Sequence, residues 1–81
     1  MRVRVRLFAV AKQLAGTDEV TLEVPEGSTL AKLRLALAAE VPAIASVLPH
    51  ILFAAGSEYV TDDSLVPANG ELACIPPVSG G

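Results

Sequence analysis

Residues 2–8 read RVRVRLF and residues 18–24 read DEVTLEV. In the first stretch Val3, Val5 and Leu7 alternate with Arg2, Arg4 and Arg6. In the second, Val20, Leu22 and Val24 alternate with Glu19, Thr21 and Glu23. Successive side chains of a strand point to opposite faces, so each stretch reads as a half-buried strand with one apolar face. By the same parity Phe8 falls on the arginine side, outside the core. Between the two strands, residues 9–15 (AVAKQLA) suit a short helix, and Gly16 suits its left-handed C′ position. Pro25-Glu26-Gly27 marks a turn. Ser28 is the expected N-cap of a main helix over about residues 29–40. Leu30, Leu33, Leu37 and Val41 share one stripe of that helix, and Lys32 and Arg34 lie off it. Leu35 fits no stripe. Pro42 ends the helix.

Farther along, residues 43–49 suit one more helical turn. A strand follows over about residues 51–55, and a short one over about 58–60, joined near Gly56-Ser57. Asp62-Asp63 opens a loop, and Asn69-Gly70 marks a tight turn. Glu71 to Ile75 is the last strand, with Leu72 and Cys74 on one face and Ala73 and Ile75 on the other. The order β, short α, β, α, β, β, β predicts an α+β roll of the ubiquitin type. In it one mixed sheet carries the main helix on one face. The expected organisation is a domain over residues 1–75 and an extended tail over residues 76–81.

The bulk properties narrow the function. The 81 residues make one small domain with a limited core. The chain is 52% hydrophobic with a mean hydropathy of +0.53. Its most apolar stretch, residues 41–56, is interrupted by Pro42, Ser46, Pro49 and His50, and no run reaches membrane-spanning length. The arginine-bearing start lacks the apolar core of a signal peptide. These features predict a cytoplasmic protein whose excess apolar content includes a surface patch for a partner. A net charge of −3 argues against a nucleic-acid partner. The single cysteine, Cys74, excludes an intrachain disulfide and a cysteine-based zinc site.

The sequence closes on Ile75-Pro76-Pro77-Val78-Ser79-Gly80-Gly81. Two prolines favour an extended backbone, and glycine has no Cβ to obstruct a narrow channel. The expectation is a stiff arm with a slim tip, presenting an α-carboxylate to another protein. Fully extended, the arm reaches roughly 20 Å.

The run into Phe8-Ala9, then Leu14-Ala15-Gly16, Glu58-Tyr59-Val60, Asn69-Gly70-Glu71-Leu72-Ala73 and the Pro-Pro-Val-Ser-Gly-Gly ending closely resembles the MoaD family, the small subunits of molybdopterin synthase. These are ubiquitin-like β-grasp sulfur carriers. Lys12-Gln13, Gly56-Ser57 and Cys74 depart from residues common in that family, and none of them touches the tail. The resemblance implies a sulfur carrier that is not an enzyme alone. A ubiquitin-activating-type adenylyltransferase would use ATP to adenylate Gly81, and a sulfur donor system would leave it a thiocarboxylate. The sulfur would pass to a cyclic pyranopterin precursor in the large subunit, building the molybdopterin dithiolene of the molybdenum cofactor. The implied complex is a heterotetramer with the large subunit.

On this reading Gly81 reacts through its carboxyl group, and Gly80 gives clearance. Ser79, Val78, Pro77 and Pro76 complete the inserting arm, with the prolines reducing the entropy lost on insertion. Parity selects Phe8, Ile75 and Ala73 as a docking patch on the sheet face away from the helix, rimmed by Arg4 and Arg6. Cys74 reads as a small buried residue rather than a sulfur relay. His50 has no partner nucleophile in sequence. Asp62 and Asp63 read as a solvated loop, and Lys12 and Lys32 as solvated. No resident metal or cofactor is expected. Three alternatives remain open: a carrier for thiamine, cysteine or tRNA thiolation, a ubiquitin-like modifier of lysines, and a plain interaction module.

Overall fold

The computed structural model describes residues 1–76. Five strands form one sheet: β1 (Arg2–Leu7), β2 (Glu19–Glu23), β3 (Leu52–Ala55), β4 (Glu58–Val60) and β5 (Glu71–Ile75). The helices are α1 (Ala9–Ala15) and α2 (Leu30–Glu40). The strand order is β2-β1-β5-β3-β4. β1 and β5 run parallel at the centre, and every other pairing is antiparallel. The fold is the expected α+β β-grasp, in which the first and last strands lie side by side.

One face of the sheet is closed. Val3, Val5 and Leu7 from β1, Leu22 from β2, Phe53 from β3, and Leu72 and Cys74 from β5 are all buried. The α2 stripe of Leu30, Leu33 and Leu37 covers them, each fully buried. Burying a side chain of this size is worth roughly 1.5–3 kcal/mol, so this face holds the domain together. Leu35 is exposed, and nothing in the structure explains it.

Two local expectations are corrected. The N-cap of α2 is Thr29, whose Oγ1 accepts the Lys32 N–H at 3.3 Å. Ser28 instead is buried and donates its hydroxyl to the Pro25 carbonyl at 2.6 Å. Its own carbonyl accepts from the Val66 N–H at 2.9 Å, so Ser28 is held outside the helix by the 61–66 loop. The segment after α2 is also not one turn but two short 3-10 turns, Pro42–Ile44 and Leu48–His50. Each has a proline in its first positions, where the missing N–H costs nothing.

Two glycines have a defined task. Gly16 ends α1 at φ 74 with its N–H on the Lys12 carbonyl. Gly70 sits at φ 68, and a Cβ there would lie 2.5 Å from the Arg2 carbonyl oxygen. The Gly70 carbonyl in turn accepts the Arg4 N–H at 2.7 Å. Only glycine allows this approach, which brings β5 alongside β1.

Candidate docking face and tail base

The open face of the sheet is built by the residues that alternate with the core. Arg2, Arg4 and Arg6 stand on β1, with Glu23, Thr21 and Glu19 opposite them on β2. On the other side Arg4 is level with Glu71, and Arg6 with Ala73. Ala73 is paired with Ala54, and Ile75 with Leu52. Ala54 is paired in turn with Tyr59. The face therefore grades from charged strands β2 and β1 to small and apolar residues on β5, β3 and β4.

Phe8 follows β1 as the N-cap of α1, still extended at φ −126 and ψ 156. Leu7 is level with Cys74, so one further step of the parallel register brings Phe8 level with Ile75. The chain then turns at Ala9, a non-glycine residue at φ 51. Such a left-handed residue costs about 1–2 kcal/mol and marks a position fixed by its surroundings. Phe8 is 44% exposed and Leu52 51%, with Ile75 half-buried between them. Phe8, Ile75 and Leu52 thus form an apolar row at the end of the sheet where β5 finishes.

All five docking candidates from the sequence lie where parity placed them. Phe8, Arg4 and Arg6 are exposed, and Ala73 and Ile75 are half-buried. Leu52 and Tyr59, the latter 65% exposed, belong to the same face and were not singled out from sequence. β3 reads LFAA, apolar throughout, so no alternation assigns its faces, and its pairing with β5 joins residues far apart in the chain. Pro76, the first residue after β5, is buried. Pro77, Val78, Ser79, Gly80 and Gly81 lie outside the described residues.

Behind the face, Cys74 is fully buried, and burial pushes its thiol up to about 11, partly offset by the Arg34 charge. A thiol this basic is a poor nucleophile at neutral pH. Arg34 is a half-buried staple that its place off the helix stripe did not reveal. Its Nη1 donates to the Ile51 carbonyl at 2.9 Å and to the Leu48 carbonyl, and its Nη2 to Asp62 at 2.8 Å. The guanidinium carbon lies 4.7 Å from the Phe53 ring centroid. Asp62 is accordingly not a free loop carboxylate but the outer end of this staple. Among the described residues no group of three or more His, Cys, Asp or Glu side chains could hold a metal. No helix among them is long and apolar enough to cross a membrane.

The fold and the site thus define a β-grasp domain with an uncovered apolar row where its C-terminal segment begins. The ThiS family model matches residues 5–81. The molybdopterin synthase sulfur carrier subunit of Arabidopsis thaliana is 40% identical over 81 residues, covering 100% of this chain and 84% of that protein. The crystal structure of SAMP1 from Haloferax volcanii superposes with a TM-score of 0.85 at 29% identity, covering 100% of both chains. A complex of subunits 1 and 2 of molybdopterin-converting factor from Helicobacter pylori contains a chain of the same fold, with a TM-score of 0.69 at 21% identity and full coverage of both chains. The chain belongs to the ThiS family and, within it, to the molybdopterin synthase sulfur carrier subunits.

Proposed function

We propose that the chain delivers sulfur from a thiocarboxylate on Gly81 to a cyclic pyranopterin precursor held by the large subunit of molybdopterin synthase. The carrying observation is the position of the apolar row. β5 ends at Ile75, within the row, so the arm begins inside the surface a partner would cover. A partner seated on Phe8, Ile75 and Leu52 meets the chain where its C-terminal segment begins, and six extended residues span at most roughly 20 Å. The Helicobacter pylori complex of subunits 1 and 2 supports a large-subunit partner of this kind.

The chemistry needs two proteins besides this one. An adenylating enzyme joins the Gly81 carboxylate to the α-phosphate of ATP, releasing pyrophosphate. A sulfur nucleophile from a donor system then displaces AMP and leaves the thiocarboxylate. In the large subunit the thiocarboxylate sulfur bonds to a precursor carbon as an oxygen substituent leaves that carbon, and water then cleaves the acyl–sulfur bond, restoring the Gly81 carboxylate and leaving the sulfur on the precursor as a thiol. Repeated rounds complete the dithiolene. The chain contributes delivery and orientation, worth much of the barrier when the reacting group is held in place. The large subunit contributes the catalytic pocket, so the chain is a non-catalytic subunit working in the cytoplasm, in a heterotetramer.

The similarity to SAMP1 favours a second reading, attachment of Gly81 to lysines of other proteins. Intact-mass measurement after incubation with the activating enzyme, ATP and a sulfide source distinguishes the two. The carrier reading requires a mass gain equal to one oxygen-to-sulfur exchange, lost when Gly81 is deleted. Lysine-linked conjugates without that product would replace it with the modifier reading.

A further inference from the structure

The three arginines of β1 are not equivalent. Arg2 is paired with Glu23 at 3.1 Å, and Arg4 with Glu71 at 2.7 Å. Arg6 makes no ion pair and no side-chain hydrogen bond among the described residues, although Glu19 is its register partner on β2. On its other side the register partner is Ala73, followed by Ala54. These small residues leave a shallow hollow of about 260 Å³ beside Arg6, bordered by Arg4, Glu19 and Gly56. A bound water takes about 30 Å³, and small-molecule sites begin near 300 Å³. The hollow is therefore the size for one inserted side chain.

Arg6 also stands two residues before Phe8, next to the row a partner must cover. Covering the row strips water from the guanidinium. A charge buried without a partner is costly, whereas a carboxylate meets a guanidinium through two parallel hydrogen bonds. We propose that Arg6, over the Ala54–Ala73 floor, is the receptor for one Asp or Glu side chain of the partner protein, and that this contact decides which partner is accepted. A partner surface without the acid is rejected by the stranded charge. The inference rests on the docking reading above and adds the chemistry that the partner must present. Two glutamates already border the hollow. Glu71 is held by Arg4, whereas Glu19, on the edge strand, is the competing acid and stays beyond ion-pair distance.

The test measures affinity of the full-length chain for its cognate large subunit by calorimetry, at low and high salt. Arg6→Ala should weaken binding roughly tenfold or more, and Arg6→Glu further. The loss should shrink at high salt. Arg2→Ala, the same charge change at the far end of β1, should stay within about twofold. Among Asp→Arg and Glu→Arg variants on the large-subunit surface, one should restore binding to Arg6→Glu, which a merely structural role could not produce. Thermal melts of each variant verify the fold. Arg6→Glu binding as well as Arg2→Ala overturns the inference. If Phe8→Ala and Leu52→Ala still lose affinity in that case, the docking reading survives and only the role of Arg6 falls. If neither loses affinity, the docking face itself is misplaced and the inference falls with it.

Discussion

The two faces of the central strands have opposite chemistry. On the inner face Val3, Val5, Leu7, Leu72 and Cys74 meet Phe53 under the leucines of α2, and all are buried. On the outer face the same strands present Arg2, Arg4, Arg6, Ala73 and Ile75, with Leu52, Tyr59 and Phe8 exposed around them. The inner face turns its apolar area into stability. The outer face leaves comparable side chains in water, an arrangement that adds nothing to folding and suits a surface that another protein covers. One face accounts for folding, and the other is the surface proposed to meet a partner.

The sharpest way to break this division is to truncate one phenylalanine on each face. Phe53→Ala should cost about 3–5 kcal/mol in denaturant unfolding. Phe8→Ala should cost under about 0.5 kcal/mol in the same measurement, yet weaken large-subunit binding by about 2 kcal/mol. Equal effects of the two on stability would erase the distinction. Next in size is the staple at the inner margin. Arg34→Ala strands the Leu48 and Ile51 carbonyls and should lose about 3 kcal/mol of unfolding free energy. Arg34→Lys keeps the charge without the fork and should lose less. Gly70→Ala forces a Cβ against the Arg2 carbonyl and should destabilise by about 2–3 kcal/mol, seen as an earlier denaturation midpoint.

The smallest effect is a pH dependence from the inner face. The Cys74 thiol ionises near 11 when folded against an ordinary value of 9.0. As pH passes 9 the unfolded chain loses that proton first, so it binds fewer protons than the folded chain and stability falls. The decline should approach 1 kcal/mol per pH unit between about 9 and 11 and level off above the folded value. Urea melts across that range should show a flatter slope for Cys74→Ala than for the parent chain. Identical slopes would place the thiol in a wetter site than the inner face provides.

Alternation made the division legible in the sequence wherever it ran unbroken. RVRVRL and the final ELACI assign their own faces, because a strand has only two. Leu30, Leu33 and Leu37 announce the helix stripe in the same way. The positions that escaped depend on contacts across the chain. Leu52 reaches the outer row only through the pairing of β3 with β5. Arg34 reads only as a residue off the helix stripe until the turn at Leu48–His50 and the loop at Asp62 fold over it. The choice between Ser28 and Thr29 as N-cap is decided by the 61–66 loop, not by their neighbouring residues. The family was legible as a motif in Pro-Pro-Val-Ser-Gly-Gly, whereas the place where the C-terminal segment begins required the sheet.

The most direct test of the account is reconstitution of the transfer. The chain bearing a Gly81 thiocarboxylate is mixed with its cognate large subunit and the cyclic pyranopterin precursor, and the dithiolene pterin is assayed. Product is expected from the thiocarboxylate form, and none from the carboxylate form or from the chain lacking Gly81. Product formed without Gly81, or a stable complex with the thiocarboxylate form that yields none while the carrier is found linked to lysines, would contradict it.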